Sequence, residues 1–288
     1  MPSYIERFYS NDFDSRIDYQ DLTIGIQDYV MTLMLRVRLV PMSPPPGKLQ
    51  FQAMDAEGNV APAINWPTAE WDEFKKEFKR QAYATWNKSF ALIPPASYNG
   101  FKNPNGQRRN VVCFLEIQLV DKDAPNVHTV NVVRLAHEHS LLRANAGHPG
   151  LFTSDNIKPN RNSGPIPEPI EFRRVRGKMK VFGGNPGGRM YSWEQHPLPH
   201  EVGHMLGLEH INAKAEECRT DPNSPICYGV VRRDAMNVMG SGDVLDYRNA
   251  RPWCKRILRH TPPTHQLDWR VEVSSDAKMR GLYSLKSL

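Results

Sequence analysis

No run of the chain is apolar enough to span a bilayer. The most apolar early stretch, Tyr29 to Val40, is interrupted by Arg36 and Arg38 and falls short of the ~18 apolar residues a span requires. No membrane span is therefore expected. Cysteine is scarce, with four residues in 288, which excludes a disulfide scaffold. Charge of one sign is not in strong excess. The 37 basic against 31 acidic residues leave a net charge of +6, too modest to point to a nucleic-acid partner. Residues 1 to 20 lack a basic segment followed by an apolar core, so no cleaved signal peptide is expected. The expected location is the cytoplasm, or the outside by a signal-independent route. No internal repeat stands out at solenoid or propeller periods. The glycine-rich GGNPGG at 183–188 has neither the spacing of a dinucleotide loop nor the Lys-Ser/Thr of a P-loop, and is read as a turn. Nothing in the sequence specifies an oligomeric state.

What is present describes a globular α+β protein. Apolar residues make up 40% and charged residues 24% of the chain, enough for a sizeable core. The 24 prolines and 19 glycines require many turns and disfavour an all-helical fold. Residues 28–40 alternate partially and are rich in β-branched types, the pattern of a strand. From Thr68, the residues Trp71, Phe74, Phe78, Ala82 and Trp86 recur every three or four positions, which predicts an amphipathic helix. Val111 to Val120 and His128 to Leu135 read as two strands joined by the polar DKDAPN, and a hairpin is expected. Residues 145–169 read as a long loop. Phe172 to Phe182 alternates basic and apolar residues and reads as an exposed edge strand. Together these predict a mixed sheet with a backing helix.

The chemistry is concentrated at 200–210, HEVGHMLGLEH. On a helix, residues four apart lie one above the other, so His200 and His204 can aim imidazole nitrogens at one point. Glu201 is rotated about 100° from His200, off the ligand line but long enough to reach a water between metal and substrate, and is placed as a base. Gly207 suits a helix stop in left-handed conformation, after which His210 can return to the same point as third ligand. Three protein ligands with a fourth position open are the mark of a catalytic zinc rather than a structural one. One Zn2+ is therefore the expected cofactor. Pro197 and Pro199 fit the first turn of this helix, which is expected to begin near His196. His196 itself is a weaker alternative ligand, and His137, His139 and His148 are read as solvated or hydrogen-bonded.

This HExxHxxGxxH string, with the downstream Asp234-Ala-Met-Asn-Val-Met-Gly-Ser-Gly242, resembles the metzincin zinc endopeptidases, which combine that elongated motif with a methionine turn. The resemblance makes Met239, rather than Met236, the methionine beneath the ligands. It implies a single catalytic domain with residues 1–27 as an N-terminal extension, 28–210 as an upper lobe of twisted mixed sheet with backing and active-site helices, and 211–288 as a smaller, irregular lower lobe. A C-terminal helix is expected at Ala250 to His260. The implied activity is hydrolysis of peptide or protein substrates, with Phe172 to Phe182 as the candidate strand pairing with an extended substrate. A secreted effector or toxin protease would reconcile that activity with the absent signal. Two departures stand out. Ser241 occupies the position of the zinc-contacting tyrosine found in some metzincins, leaving Tyr228, Tyr247 or His260 as candidate replacements. Cys113 lies in a predicted strand, which disfavours a cysteine-switch propeptide. Cys218, Cys227 and Cys254 cluster near the C-terminus, compatible with one disulfide or with reduced thiols, and Cys218 and Cys227 flank RTDPNSPI in the pocket-forming segment. The rival to an enzyme is a non-catalytic, zinc-stapled module whose basic strand at 172–180 engages an acidic partner.

Overall fold

The computed structural model describes residues 4–6, 13–22, 26–55, 58–103, 105–137, 142–147, 149–168, 171–175, 178–182, 185–221, 224–261, 269–274 and 286–287. In chain order the strands begin with β1 (Tyr4–Glu6), β2 (Phe13–Leu22), β3 (Ile26–Met42), β4 (Gln50–Met54) and β5 (Val60–Ile64). Helix α1 (Thr68–Trp86) is followed by β6 (Phe90–Ile93), β7 (Val111–Leu119), β8 (His128–Leu135), β9 (Gly150–Thr153) and β10 (Asn160–Glu168). Then come β11 (Glu171–Val175), β12 (Lys178–Phe182), β13 (Asn185–Gln195) and α2 (Pro197–Met205). The remainder holds α3 (Glu216–Thr220), α4 (Arg232–Ala235), α5 (Arg251–His260), β14 (Arg270–Val273) and β15 (Lys286–Ser287). The class is mixed α+β, with an open twisted sheet of mixed strand direction and few helices.

The chain divides into two compact units. The first comprises 1–158, 197–208 and 247–274 and holds a ten-stranded sheet whose main path runs β14-β6-β7-β3-β8-β5-β4. Strand β3 is its spine: β2 pairs antiparallel along the first part of β3, while β7 and β8 both pair parallel to it. The core is built of Met31, Leu33 and Leu35 from β3, Ile117 from β7, and Phe74, Phe78 and Trp86 from α1, all nearly inaccessible. The predicted apolar stripe of α1 is the face that packs, with Trp71 half-buried at its end. Tyr83 locks α1 to the sheet, since its hydroxyl donates to the Ile117 carbonyl at 3.3 Å and accepts from the Ile117 N–H at 3.0 Å. Trp253 of α5 stacks on Trp86 at 6.2 Å and donates its indole N–H to the Phe114 carbonyl, so the helix expected at 250–260 closes the same core.

The second unit comprises 159–196, 209–246 and 275–288. It holds a three-stranded sheet in the order β10-β13-β15, a separate β11–β12 pair, and an irregular segment over 209–246.

Four expectations are corrected. Strands β7 and β8 are not a hairpin, because they flank β3 on opposite sides and run parallel to it; alternation identifies a strand but does not name its partner, and the seventeen-residue β3 is long enough to take both. The loop expected at 145–169 contains β9, a 3-10 turn at Ser154–Ile157 and β10, since pairing with β8 and β13 supplies the backbone partners that its Gly- and Pro-rich composition hides. The single strand at 172–182 is two, folded on each other as β11 and β12. Of the glycine-rich turn, 183 and 184 lie outside the described residues, while 185–188 open β13.

Candidate metal centre

Helix α2 carries the motif. Pro197 and Pro199 occupy its first turn, where a missing N–H costs no intrahelical bond, and the start agrees with that expected near His196. Leu198 and Val202 are fully buried and Met205 nearly so, which seats the helix in the first unit against α1. Trp86 of α1 donates its indole N–H to the Pro199 carbonyl at 3.1 Å, one residue before His200. Gly207 ends the helix with φ of +78°. Its N–H donates to the His204 carbonyl at 2.8 Å, and the Leu208 N–H reaches back to the Gly203 carbonyl at 3.0 Å, the paired bonds of a left-handed helix cap.

That cap also orients a ligand. His204 Nδ1 lies 2.8 Å from the Leu208 carbonyl oxygen; a carbonyl only accepts, so Nδ1 carries the proton and Nε2 presents its lone pair. His204 Nε2 and His200 Nε2 approach to 3.1 Å. Two nitrogens each ~2.0–2.1 Å from one tetrahedral zinc lie about 3.3 Å apart, so this pair already has the spacing of co-ligands. With His210 included, one ligand atom from each of the three imidazoles lies within 4.8 Å of the others. Burial holds the His204 pKa below its ordinary value, against the opposing hydrogen bond to Leu208, which keeps the imidazole neutral as a ligand must be. His200 is buried and His210 half-buried.

Glu201 is buried, with 6% of its surface accessible. Burial pushes its carboxyl up to about 8, and a hydrogen bond from the Ala146 backbone N–H acts the other way. Its Oε2 has no hydrogen-bond partner among the described residues. An unpartnered buried carboxyl oxygen is costly, and a hydrogen bond from a water would satisfy it. The three clustered imidazoles, together with this orphaned oxygen, fit a metal ion with an open coordination position.

Met239 is buried, with 1% accessible. Its N–H donates to Asn237 Oδ1, and its carbonyl accepts from the Ile211 N–H, both at 2.9 Å, so the turn is tied to the residue just after His210. Met236 packs instead in a small cluster with Ala235, Trp193 and Val244. The turn is also held from β13, where the Trp193 indole donates to the Ser241 carbonyl at 2.6 Å and the Gln195 amide to the Gly240 carbonyl at 3.0 Å. His196 is outside the ligand group: its N–H and Nδ1 lie 2.8 and 2.7 Å from the Asp243 carboxylate. His137 is exposed, and His139 and His148 lie outside the described residues.

Of the residues considered in place of a tyrosine at 241, Ser241 Oγ donates to the Ala235 carbonyl, Tyr247 is 57% exposed, and His260 pairs with Ser15 at 3.0 Å. The Tyr228 ring lies 4.1 Å from that of His210. Cys218 and Cys227 form a disulfide, while Cys113 and Cys254 are free and buried. Sequence reasoning missed Ala146 and Asn212. Ala146 has no signature, since it contributes only its backbone. Asn212 was within reach as the polar residue two after the third histidine. No protein-family model matches the chain, and neither the curated proteins nor the solved structures contain a match to it.

Proposed function

We propose that the protein is a zinc-dependent endopeptidase of the metzincin type. The observation that carries this reading is the buried Glu201 carboxyl, with one oxygen unpartnered among the described residues, adjacent in sequence to the first of three clustered imidazoles. A pure structural staple has no use for a carboxylate kept in so costly a state beside its ligands. His200, His204 and His210 would hold the ion, which when bound supplies Lewis acidity that acidifies a water and polarises the scissile carbonyl.

The remaining steps belong to the chain. The Leu208 carbonyl fixes the His204 tautomer, so that the ligand nitrogen needs no rearrangement. Ala146 fixes one side of the Glu201 carboxyl through its N–H, leaving Oε2 to take the proton of the attacking water and to deliver it to the leaving nitrogen. A carboxyl raised toward neutrality is matched to both roles, because it can hold and release a proton near the working pH. Peptides or proteins are the proposed substrates.

The test pairs bound zinc per chain with cleavage of an unbiased peptide library, for the wild type and Glu201→Gln. About one zinc in each protein, with cleavage by the wild type only, is the expected result. Zinc bound with no cleavage by either protein would favour the zinc-stapled binding module.

A further inference from the structure

His210 is the one ligand of the three that lies beyond α2, so its place depends on the irregular segment that follows it. Both residues after it are pinned. The Ile211 N–H donates to the Met239 carbonyl, while Asn212 donates its N–H to the Cys227 carbonyl at 3.0 Å and its side-chain amide to the Ile226 carbonyl at 2.8 Å. The short 3-10 turn Pro225–Tyr228 thus lies alongside the third ligand and ends on Tyr228, whose ring packs against the His210 imidazole at 4.1 Å and 39°. Tyr228 is backed on its main-chain side. A Cβ added to Gly240 of the methionine turn would stand 2.5 Å from the Tyr228 carbonyl oxygen, so the backbones are in close approach there. Immediately before Tyr228, the Cys218–Cys227 disulfide closes a loop of sequence separation nine that starts within α3.

We propose that Tyr228 is the positioning residue of His210, and that the Cys218–Cys227 disulfide, by fixing the turn that carries Tyr228, couples thiol redox state to metal affinity. The inference rests on the metal-binding reading above. Reduction requires two thiols from a small-molecule or protein dithiol donor: the Cys218–Cys227 S–S bond breaks, two S–H groups form, and the donor leaves as a disulfide. The opened loop recovers conformational freedom, and the ring of Tyr228 no longer restrains the third imidazole. Loss of a partner that orients a metal ligand typically weakens binding about 10- to 100-fold.

Zinc affinity, measured by competition with a chromophoric chelator on the intact oxidised chain, reads the effect without recourse to turnover. Tyr228→Ala is expected to weaken binding at least about tenfold, while Tyr228→Phe, which keeps the ring, stays within about threefold of wild type. A second measurement needs no variant. Linkage is reciprocal, so if the disulfide favours zinc, zinc must favour the disulfide by the same factor. In a glutathione redox buffer, thiol labelling of the wild type should show the Cys218–Cys227 equilibrium shifted about tenfold toward oxidised by saturating zinc, or about 30 mV. Equal oxidation with and without zinc, or unchanged affinity in a folded Tyr228→Ala, overturns the inference while leaving the metal reading intact. A wild type that binds no zinc takes both down together.

Discussion

The backbone N–H of Ala146 donates to the buried carboxyl of Glu201, and the segment that supplies it is itself anchored. Asn145 exchanges two backbone hydrogen bonds with Leu151 of β9, at 2.9 and 3.0 Å, so the sheet edge fixes where that N–H points. One oxygen of Glu201 is thereby held by the sheet, while the other, Oε2, has no partner among the described residues.

That arrangement gives the metal-free protein a pH signature. The Glu201 carboxyl, raised to about 8 by burial, titrates near 4.5 once the chain unfolds. Between those values the native state holds a proton that the unfolded state has lost, so stability falls as pH rises through this window and levels off above it. Below the unfolded value the contribution is fully present. Glu201→Gln stays neutral throughout and is expected to lack this fall. Urea unfolding of both metal-stripped proteins from pH 4 to 9 checks it: the variant should gain on the wild type by a few kcal/mol across the window, and parallel curves would show that the carboxyl is not desolvated.

Metal loading is expected to stabilise the fold, because three ligands drawn from one helix and the segment after it are assembled only in the native state. Zinc at a hundredfold excess over its dissociation constant contributes ~2.7 kcal/mol, which for a chain of this size raises the melting temperature by roughly 4–5 °C. A chelator should reverse the gain and added zinc restore it. His200→Ala should melt at one temperature regardless of zinc. Calorimetric scans with and without metal decide the matter, and a wild type indifferent to zinc would remove the metal centre.

Elements governed by local periodicity were legible in the sequence. The stripe Phe74, Phe78, Ala82 and Trp86 located α1 and its buried face, and the His200–His204 spacing with Gly207 located the ligand pair and the helix end. Pairing was not legible. Nothing in Val111–Leu119 or His128–Leu135 says that each adds to a flank of β3, because alternation reports which face is buried and not which strand is adjacent. Residues 150–168 were hidden for a related reason: their Gly, Pro and Asn lower intrinsic strand preference, and hydrogen bonding to β8 and β13 overrides it. At the site, side-chain chemistry was visible, whereas the Ala146 N–H and the Leu208 carbonyl were not, since every residue carries those groups.

The contact between α1 and α2 is testable at Trp86. Its indole N–H bonds the Pro199 carbonyl in a fully buried setting, and Trp86→Phe removes the donor while leaving the acceptor without water. An unsatisfied buried carbonyl costs about 1–3 kcal/mol, to which the missing ring volume adds. The half-buried Trp71 provides the comparison, with Trp71→Phe expected to cost less than about 1 kcal/mol. Urea midpoints of the two variants measure the difference. Equal losses would mean that the hydrogen bond contributes nothing to seating α2.

Glycines of the motif and of the turn that carries Met239 are expected to fail for different physical reasons. Gly207 has φ of +78°, but a Cβ there would meet no atom within 4 Å, so Gly207→Ala bears only the left-handed backbone cost of about 1–2 kcal/mol. Gly240 has no such φ, yet its Cβ would come within 2.2 Å of the Asp234 carbonyl oxygen and 2.5 Å of the Tyr228 carbonyl oxygen. Both obstacles are backbone, which cannot swing aside as a flexible side chain would, so Gly240→Ala must displace the turn that carries Met239. Its cost is expected to exceed about 3 kcal/mol and to weaken zinc binding, because Ile211, next to His210, is hydrogen-bonded to that turn. Chemical denaturation and chelator competition on the two variants separate the cases. A Gly240→Ala protein as stable as Gly207→Ala would show that the turn carrying Met239 has more room than its backbone contacts allow.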